Sequence, residues 1–393
     1  MFALSRSGLF SLLNIRFYRM RWIIVTSVLI SICAQTLAQD ISYQSMQFKG
    51  KSTRGDIVTS DIAMPFFSSS KTDVASYIND KLFIGQLEML APTRWKPFFG
   101  DADGTSVTGI ENQSFTVSRL DQKVITVDFD TEYCGAYCEA SNYFYNFEAQ
   151  SGRYIVLSEL VNKSGVQEIM RRLKAEKIRQ YREQLQQLKL KRKSLSSKRA
   201  KSQQDEIADI EDRIALNTQC LNDSQASLNS TASVEALTYL RYKLLDQELM
   251  IFSSRCSNHA SRALDDVGEV SVNISYDSLR PHLSKYGQAI LFEEKLTQEN
   301  TVISQVLRGK LGNNAITMVI QADTKDTVSA IYFYDKYRKA ISLFGSGQNG
   351  MFELIERNED GQEQAKFQLK TSGTNVYGYW LGKSKLKVDL RSP

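Results

Sequence analysis

The stretch Val166–Leu195, VQEIMRRLKAEKIRQYREQLQQLKLKRKSL, opens a run of 102 residues, 166 to 267, without glycine or proline. Average glycine use alone would place about seven glycines in that length. A segment so poor in turn formers cannot be made of short strands, and it reads as helix. Ile178, Tyr181, Leu185, Leu188 and Leu195 follow a heptad seam that Arg192 and Arg199 interrupt. A second seam, Ile207, Ile210, Ile214 and Leu221, is one residue out of register with the first, which predicts a turn or stutter near 200–204. The expectation is a projecting coiled-coil hairpin, with one long bent helix as the alternative. Ser233 reads as the N-cap of a third helix carrying Leu237, Leu240, Leu244 and Leu245.

On both sides the period changes to two. KVITVD (Lys123–Asp128), YIVL (Tyr154–Leu157) and EVSVNISY (Glu269–Tyr276) alternate as half-buried strands do. Strands are expected at Ile41–Lys49, Val58–Pro65, 114–119, 122–130, 142–149 and 153–157. The last two are joined by a turn at Ser151-Gly152. Thr72–Leu82, with Val74, Tyr77, Ile78 and Leu82 on one face, reads as an amphipathic helix. If Val270–Ser275 rejoins this sheet, the helical segment is an insertion, about 166–262, in one α+β domain spanning 39–297. After a linker at Gln298–Thr301, residues 302–393 show eight regularly spaced strands with Gly-Asn-Asn, Asp-Gly and Ser-Gly turns, the pattern of an antiparallel barrel or curled sheet. The fold class is α+β with a long helical insertion, followed by an all-β barrel-like domain.

Trp22–Ala38, WIIVTSVLISICAQTLA, is an apolar run behind Arg6, Arg16, Arg19 and Arg21, and it ends in Thr36-Leu37-Ala38. This is the form of an export signal cleaved after Ala38, and about 17 apolar residues are short for a membrane anchor. A lipoprotein site at Cys33 is disfavoured by Ile32 in the place of a small residue. The expected location is periplasmic or secreted, with no membrane span after cleavage. Loss of the four leader arginines takes the net charge from +5 to +1, unlike a globally basic nucleic-acid binder. Cys134, Cys138, Cys220 and Cys256 remain. In an oxidising compartment four cysteines allow three connectivities; Cys134–Cys138 and Cys220–Cys256 are favoured because each pair shares a local segment. A metal site is disfavoured, with only His259 and His282 available and no CxxC.

Motifs that would carry chemistry do not assemble. Gly345-Ser-Gly347-Gln-Asn-Gly350 matches GxGxxG, but MFELI follows as a strand where a dinucleotide site needs a helix N-terminus, so it reads as a β-turn. Asp101-Ala-Asp103-Gly104 suggests a calcium loop, yet Phe99 and Ile110 fall where carboxylates are required. HExxH, GxSxG and P-loop patterns are absent from the sequence, and no cofactor is implied. Arg171–Lys201 holds 13 Lys and Arg against two Glu. That face would attract an anionic polymer or lipid head groups, but without an aromatic ladder it does not read as a nucleic-acid site. The favoured account is a solvated helix face paired with Asp205, Glu206, Asp209, Glu211 and Asp212 across the hairpin. The aromatic groups Tyr332-Phe-Tyr334 and Tyr377-Gly-Tyr379-Trp380 read mainly as barrel core, because strand alternation turns every second residue inward.

Thr131–Leu160, TEYCGAYCEASNYFYNFEAQSGRYIVLSEL, resembles the extracytoplasmic domain shared by RsiV-type anti-sigma factors and some secreted polysaccharide deacetylases. The likeness rests on Cys134-Gly135-Ala136-Tyr137, Tyr145-Asn146-Phe147-Glu148, Ser151-Gly152-Arg153 and Leu157-Ser158-Glu159-Leu160. Ile62–Pro65, Ala75–Asn79, Ser275–Leu279 and Pro281-His282-Leu283 are similar to its opening and closing elements. It covers about 45–160 and 268–295, and the helical insertion is foreign to it. The resemblance implies an α+β extracytoplasmic binding fold. The anti-sigma members sense lysozyme by binding it, and in the deacetylases catalysis resides in a separate domain. Tyr137 replaces the family's loop histidine, two cysteines flank it, and the 21 residues before Trp22 leave no room for an anti-sigma segment. The C-terminal region looks like small β domains of other exported bacterial proteins of unknown role.

The function expected from these readings is an exported, non-enzymatic envelope binding protein whose partner is a lysozyme-like protein or a cell-wall polymer. A cell-wall glycan hydrolase and a scaffold that self-associates through the helical insertion are the alternatives. N-terminal sequencing of the exported protein is expected to begin at Gln39; a chain retaining residues 1–38 would contradict the cleaved signal.

Overall fold

The computed structural model describes residues 41–48, 61–99, 110–134, 138–195, 201–228, 232–292, 301–324 and 326–393. The expected signal with Cys33, the Asp101–Gly104 turn, Tyr137, Arg199 and most of the linker lie outside them. The first sheet has six strands: β1 (Ile41–Phe48), β2 (Asp61–Ser69), β3 (Phe98–Phe99), β4 (Ile110–Leu120), β5 (Val124–Cys134) and β6 (Cys138–Glu148). Their order is β3-β1-β2-β4-β5-β6, with β1–β3 and β2–β4 parallel and the other pairs antiparallel. Helix α1 (Thr72–Leu87) lays Val74, Ala75, Ile78 and Leu82 on one face of this sheet, against Met46, Ile62, Phe67, Val127 and Phe129. The helix runs five residues beyond Leu82, because Phe83 and Leu87 continue the buried stripe.

Two long helices follow the short helix α2 (Leu157–Leu160): α3 (Lys163–Leu195) and α4 (Lys201–Leu228). They run antiparallel, with Lys191 on Glu206 at 3.0 Å, Arg192 on Glu211 at 2.6 Å and Lys174 bonded to the Ser227 carbonyl. A single bent helix is thereby excluded, and acids of α4 do pair with cations of α3. The third helix expected from Ser233 is corrected. A 3-10 turn spans Val234–Tyr239, and strands β7 (Arg241–Leu244) and β8 (Glu248–Ser253) take the rest. RYKL and ELMIFS alternate, and Tyr242, Leu244, Leu249 and Ile251 turn to one buried side. Absence of glycine thus enforced neither helix nor the lack of a tight turn, since β7 and β8 are joined through Leu245–Gln247 with the Leu245 amide on the Glu248 carbonyl.

Strand β9 (Val270–Ser275) does not rejoin the first sheet; it pairs with β8 in a separate sheet ordered β7-β8-β9. The reason is polar. Asn146 of β6 accepts from the Leu244 amide and donates to the Tyr242 carbonyl, and Thr126 donates to the Leu244 carbonyl. The small sheet is therefore pinned across the face of β5–β6 opposite α1. Its far side packs on Leu160, Val166, Ile169 and Leu173 and on helices α5 (Tyr276–Leu279) and α6 (Lys285–Leu291). The expected strand at 153–157 is reduced to a bridge between Phe147 and Tyr154, since Ile155 and Leu157 leave the sheet for this second core.

Eight antiparallel strands then close a barrel: β10 (Val306–Leu311), β11 (Asn314–Ala322), β12 (Thr327–Tyr334), β13 (Ala340–Gln348), β14 (Met351–Arg357), β15 (Glu363–Ser372), β16 (Asn375–Leu381) and β17 (Lys385–Arg391). Side chains such as Leu307, Met318, Tyr332, Leu354, Phe367 and Val388 fill the interior. The barrel sits on α1. Ile84 and Leu90 meet Val306, Val319 and Phe333, and the Arg308 guanidinium reaches Asp80 at 2.6 Å beneath the Tyr77 ring. Gln305 donates to the Tyr154 carbonyl and accepts from its amide.

Lys81 of α1 is buried, its ammonium 4.7 Å from the centre of the Tyr154 ring, with no carboxylate partner among the described residues. Burial alone pulls it down to about 7. The unfolded chain, titrating near the usual lysine value of about 10.4, binds more protons between those two values, so stability rises with pH through that window. Lys81→Met is expected to stabilise the protein by on the order of a few kcal/mol near neutrality, with the gain shrinking as pH approaches 10. Urea unfolding at several pH values checks this; a gain independent of pH would contradict the buried charge.

Candidate functional site

The end of the β5–β6 hairpin is built by alternation. Val127, Phe129 and Thr131 turn into the sheet core, so Asp128, Asp130 and Glu132 share the opposite face. The small sheet covers only the lower part of that face. There Phe144 stacks on Phe252 at 4.7 Å, Lys243 neutralises Asp128 at 2.9 Å, and Arg241 donates to the Asn142 carbonyl. Beyond that cover, Asp130 and Glu132 are exposed; Asp130 is held by the Asn142 amide group. Glu139 pairs with Arg262 and lies 3.9 Å from His259. On the other face, Tyr133 and Tyr143 meet edge to face at 6.3 Å. Burial, then the neighbouring Tyr143, pushes the Tyr133 hydroxyl upward, so it stays a neutral donor at physiological pH.

A disulfide joins Cys134 to Cys138 across directly opposed positions of the two strands. Strand β6 is also the outer strand of its sheet. The result is a covalently closed hairpin end with exposed Asp130 and Glu132 on one face. Glu132 and both cysteines place ligand-type atoms within 4.8 Å of one another. The two sulfurs are bonded to each other and are not thiolates, so the group does not make a thiolate metal site.

The second disulfide joins Cys220 of α4 to Cys256, just after β8. It lines a cleft of about 260 Å³ with Met170, Leu173, Leu240, Lys174 and Lys177. Burial lowers the Lys177 ammonium from its usual value, and it donates to the Ser254 carbonyl. Nearby, Tyr181 and the backbone amides of Ser257 and Gly268 donate to Asp265. Burial raises this carboxyl, but the amide donors outweigh it and hold Asp265 below the ordinary range. These contacts tie the long helices to the loop after β8.

Other residues singled out in the sequence take structural roles. Gly345 and Gly347 lie in β13, where a Cβ would strike the Glu353 carbonyl or the Phe352 ring, and Asn349-Gly350 (φ 52° and 73°) makes a two-residue hairpin turn. Tyr332 donates to Glu356 at 2.9 Å and Trp380 at 3.2 Å, both from barrel-core positions. Tyr377 and Tyr379 carry Lys370 and Lys385 over their rings. Ser164 and His282, unconnected in the sequence, come within 2.9 Å. Ser164 Oγ also donates to Asn162 Oδ1, which accepts from the first amides of α3; the group is a helix cap, and His282 has no carboxylate partner among the described residues. The acidic face was missed in the sequence, although its i, i+2, i+4 carboxylates within KVITVDFDTE are a readable signal.

No family model and no curated protein matches the sequence. Among solved structures the chain is similar to a member of the DUF3298 family from Bacteroides fragilis, at 9% identity and a TM-score of 0.36, over 64% of this chain and 96% of that one.

The two disulfides close loops of very different size, with sequence separations of 4 and 36 residues. In the chain-entropy model the shorter contributes about 2 kcal/mol and the longer about 4 kcal/mol. Replacing Cys220 and Cys256 by serine is therefore expected to lower the urea midpoint about twice as far as replacing Cys134 and Cys138. Equal losses would show that the short bridge holds more than its own loop.

Proposed function

We propose that this is an exported envelope protein without catalytic activity of its own, and that it binds a cationic protein of the lysozyme type through the acidic end of the β5–β6 hairpin. The observation that carries this reading is the pairing of solvent-facing Asp130 and Glu132 with a disulfide that immobilises the strand ends beneath them. A rigid anionic projection loses little conformational freedom on binding, and its field accelerates encounter with a basic partner. It would repel an anionic wall polymer, so a protein partner is preferred over such a polymer. The resemblance of Thr131–Leu160 to the RsiV-type domain supports the same partner, and the hairpin lies within that stretch. Two disulfides fit an oxidising compartment, and among the described residues no helix is long and apolar enough to cross a membrane.

Titration of residues 39–393 with lysozyme at low and moderate salt tests the proposal. Binding is expected to survive moderate salt and to weaken at least ~10-fold when Asp130 and Glu132 are both changed to lysine, given the coupling energies of close charge pairs. Absence of binding, or an unchanged affinity in that double variant, would overturn it. A clearing zone on a peptidoglycan zymogram would overturn the non-enzymatic part.

A further inference from the structure

The α3–α4 arm leaves apolar surface unused. It buries Ile178, Tyr181, Leu185 and Leu188 of α3 against a line on α4 that includes Ile210 and Cys220. The other heptad positions of α4, Ile207, Ile214 and Leu221, stay only half-buried, and Leu190 of α3 is 62% exposed. The long helices also pack on the loop after β8, through Cys220–Cys256, Arg213 on Asp266 and Asn217 on the Leu264 carbonyl, yet these contacts leave that part of the stripe uncovered. The result is an open groove of about 430 Å³ walled by Leu185, Leu190 and Leu221 and rimmed by Arg182, Lys189 and Lys193. No carboxylate is among its described lining residues.

The charge on this groove is what remains after internal pairing. Arg171 and Arg172 sit on Glu168, Arg179 on Glu176 and Glu183, Lys191 on Glu206 and Arg192 on Glu211. Arg182 and Lys189 have no carboxylate partner among the described residues. Pairing of those five cations leaves Arg182 and Lys189 beside the exposed Leu190 and the half-buried Leu221.

An apolar floor under a rim of one sign matches an amphiphile with an anionic head. Acyl carbons would cover the leucines, while phosphate oxygens meet the guanidinium and ammonium groups, whose long stems let the charges stay at the head-group level. A polyanion would satisfy the rim and leave the leucines wet. A second copy placing its own groove here would bring two sets of Arg182, Lys189 and Lys193 together. We propose that the arm docks through this groove on an anionic phospholipid surface, a function separate from recognition at the β5–β6 hairpin.

Flotation of residues 39–393 with vesicles of phosphatidylcholine, with and without phosphatidylglycerol, tests this. Arg182 and Lys189 near the surface predict roughly thirtyfold tighter binding to the anionic vesicles, weakening as salt rises. Changing Arg182 and Lys189 to glutamate is expected to remove most of that preference. Leu190→Ser is expected to weaken binding with the charge preference retained. Both variants alter exposed positions, and lysozyme affinity should be unchanged in each. No binding to anionic vesicles, or variants that bind like the parent, would overturn the proposal. So would a mass that doubles without lipid and returns to the monomer in the variants, which would assign the groove to a second copy.

Discussion

The Arg153 guanidinium, 1% exposed, is the charge around which the α+β part closes. It lies 2.6 Å from Glu159 and 3.5 Å from Glu148, and donates to the Tyr286 hydroxyl, which in turn donates to Glu148. Removing these groups from water costs several kcal/mol per ion, and the cost is offset only when every partner is in place. The requirement is structural: Glu148 ends β6, Glu159 is in α2 and Tyr286 is in α6. The end of β6 and α2, neighbours in the chain, must meet α6, which follows more than 120 residues later.

Beside that meeting point the chain enters α3 and comes back before α6. The Ser284 amide donates to the Leu160 carbonyl and the Asn162 amide to the His282 carbonyl, so the two ends of the segment that holds the arm and the small sheet lie side by side. The approach is close enough to require glycine. A Cβ on Gly165 would sit 2.4 Å from the His282 carbonyl oxygen, and one on Gly287 would sit 2.0 Å from that of Leu160. Gly165, which begins the glycine-free run, is therefore a contact point as well as a boundary. The arm itself is closed at its base by Gln167, which donates to the Ala232 carbonyl and accepts from its amide.

The barrel is joined to the rest by a second polar constraint. Burial raises the Asp80 carboxyl, and Arg308 opposes that effect from 2.6 Å away. The acidic hairpin end and the arm groove belong to other elements, so the docking of the barrel on α1 leaves both out of its interface.

How much could be read from the sequence depended on the range of the forces involved. The eight barrel strands, helix α1 and the antiparallel pairing of α3 with α4 were legible because periodicity, turn residues and charge order act locally. Asn349-Gly350 marks its own turn, and Arg192 stands where Glu211 can meet it. The strands RYKL and ELMIFS were hidden because their local pattern also permits helix. Asn146 and Thr126, more than 90 residues away, settle the matter by bonding the backbone of RYKL, on which ELMIFS then pairs. The same holds for β9, whose alternation announces a strand but not which sheet receives it. The sequence by itself determined the element types where local signals agreed, and the class of the fold. Only the tertiary structure decided which carboxylates stay uncovered, which arm cations are already paired, and which leucines remain in water. Those are properties of surfaces made by residues distant in the chain, and no single segment contains them.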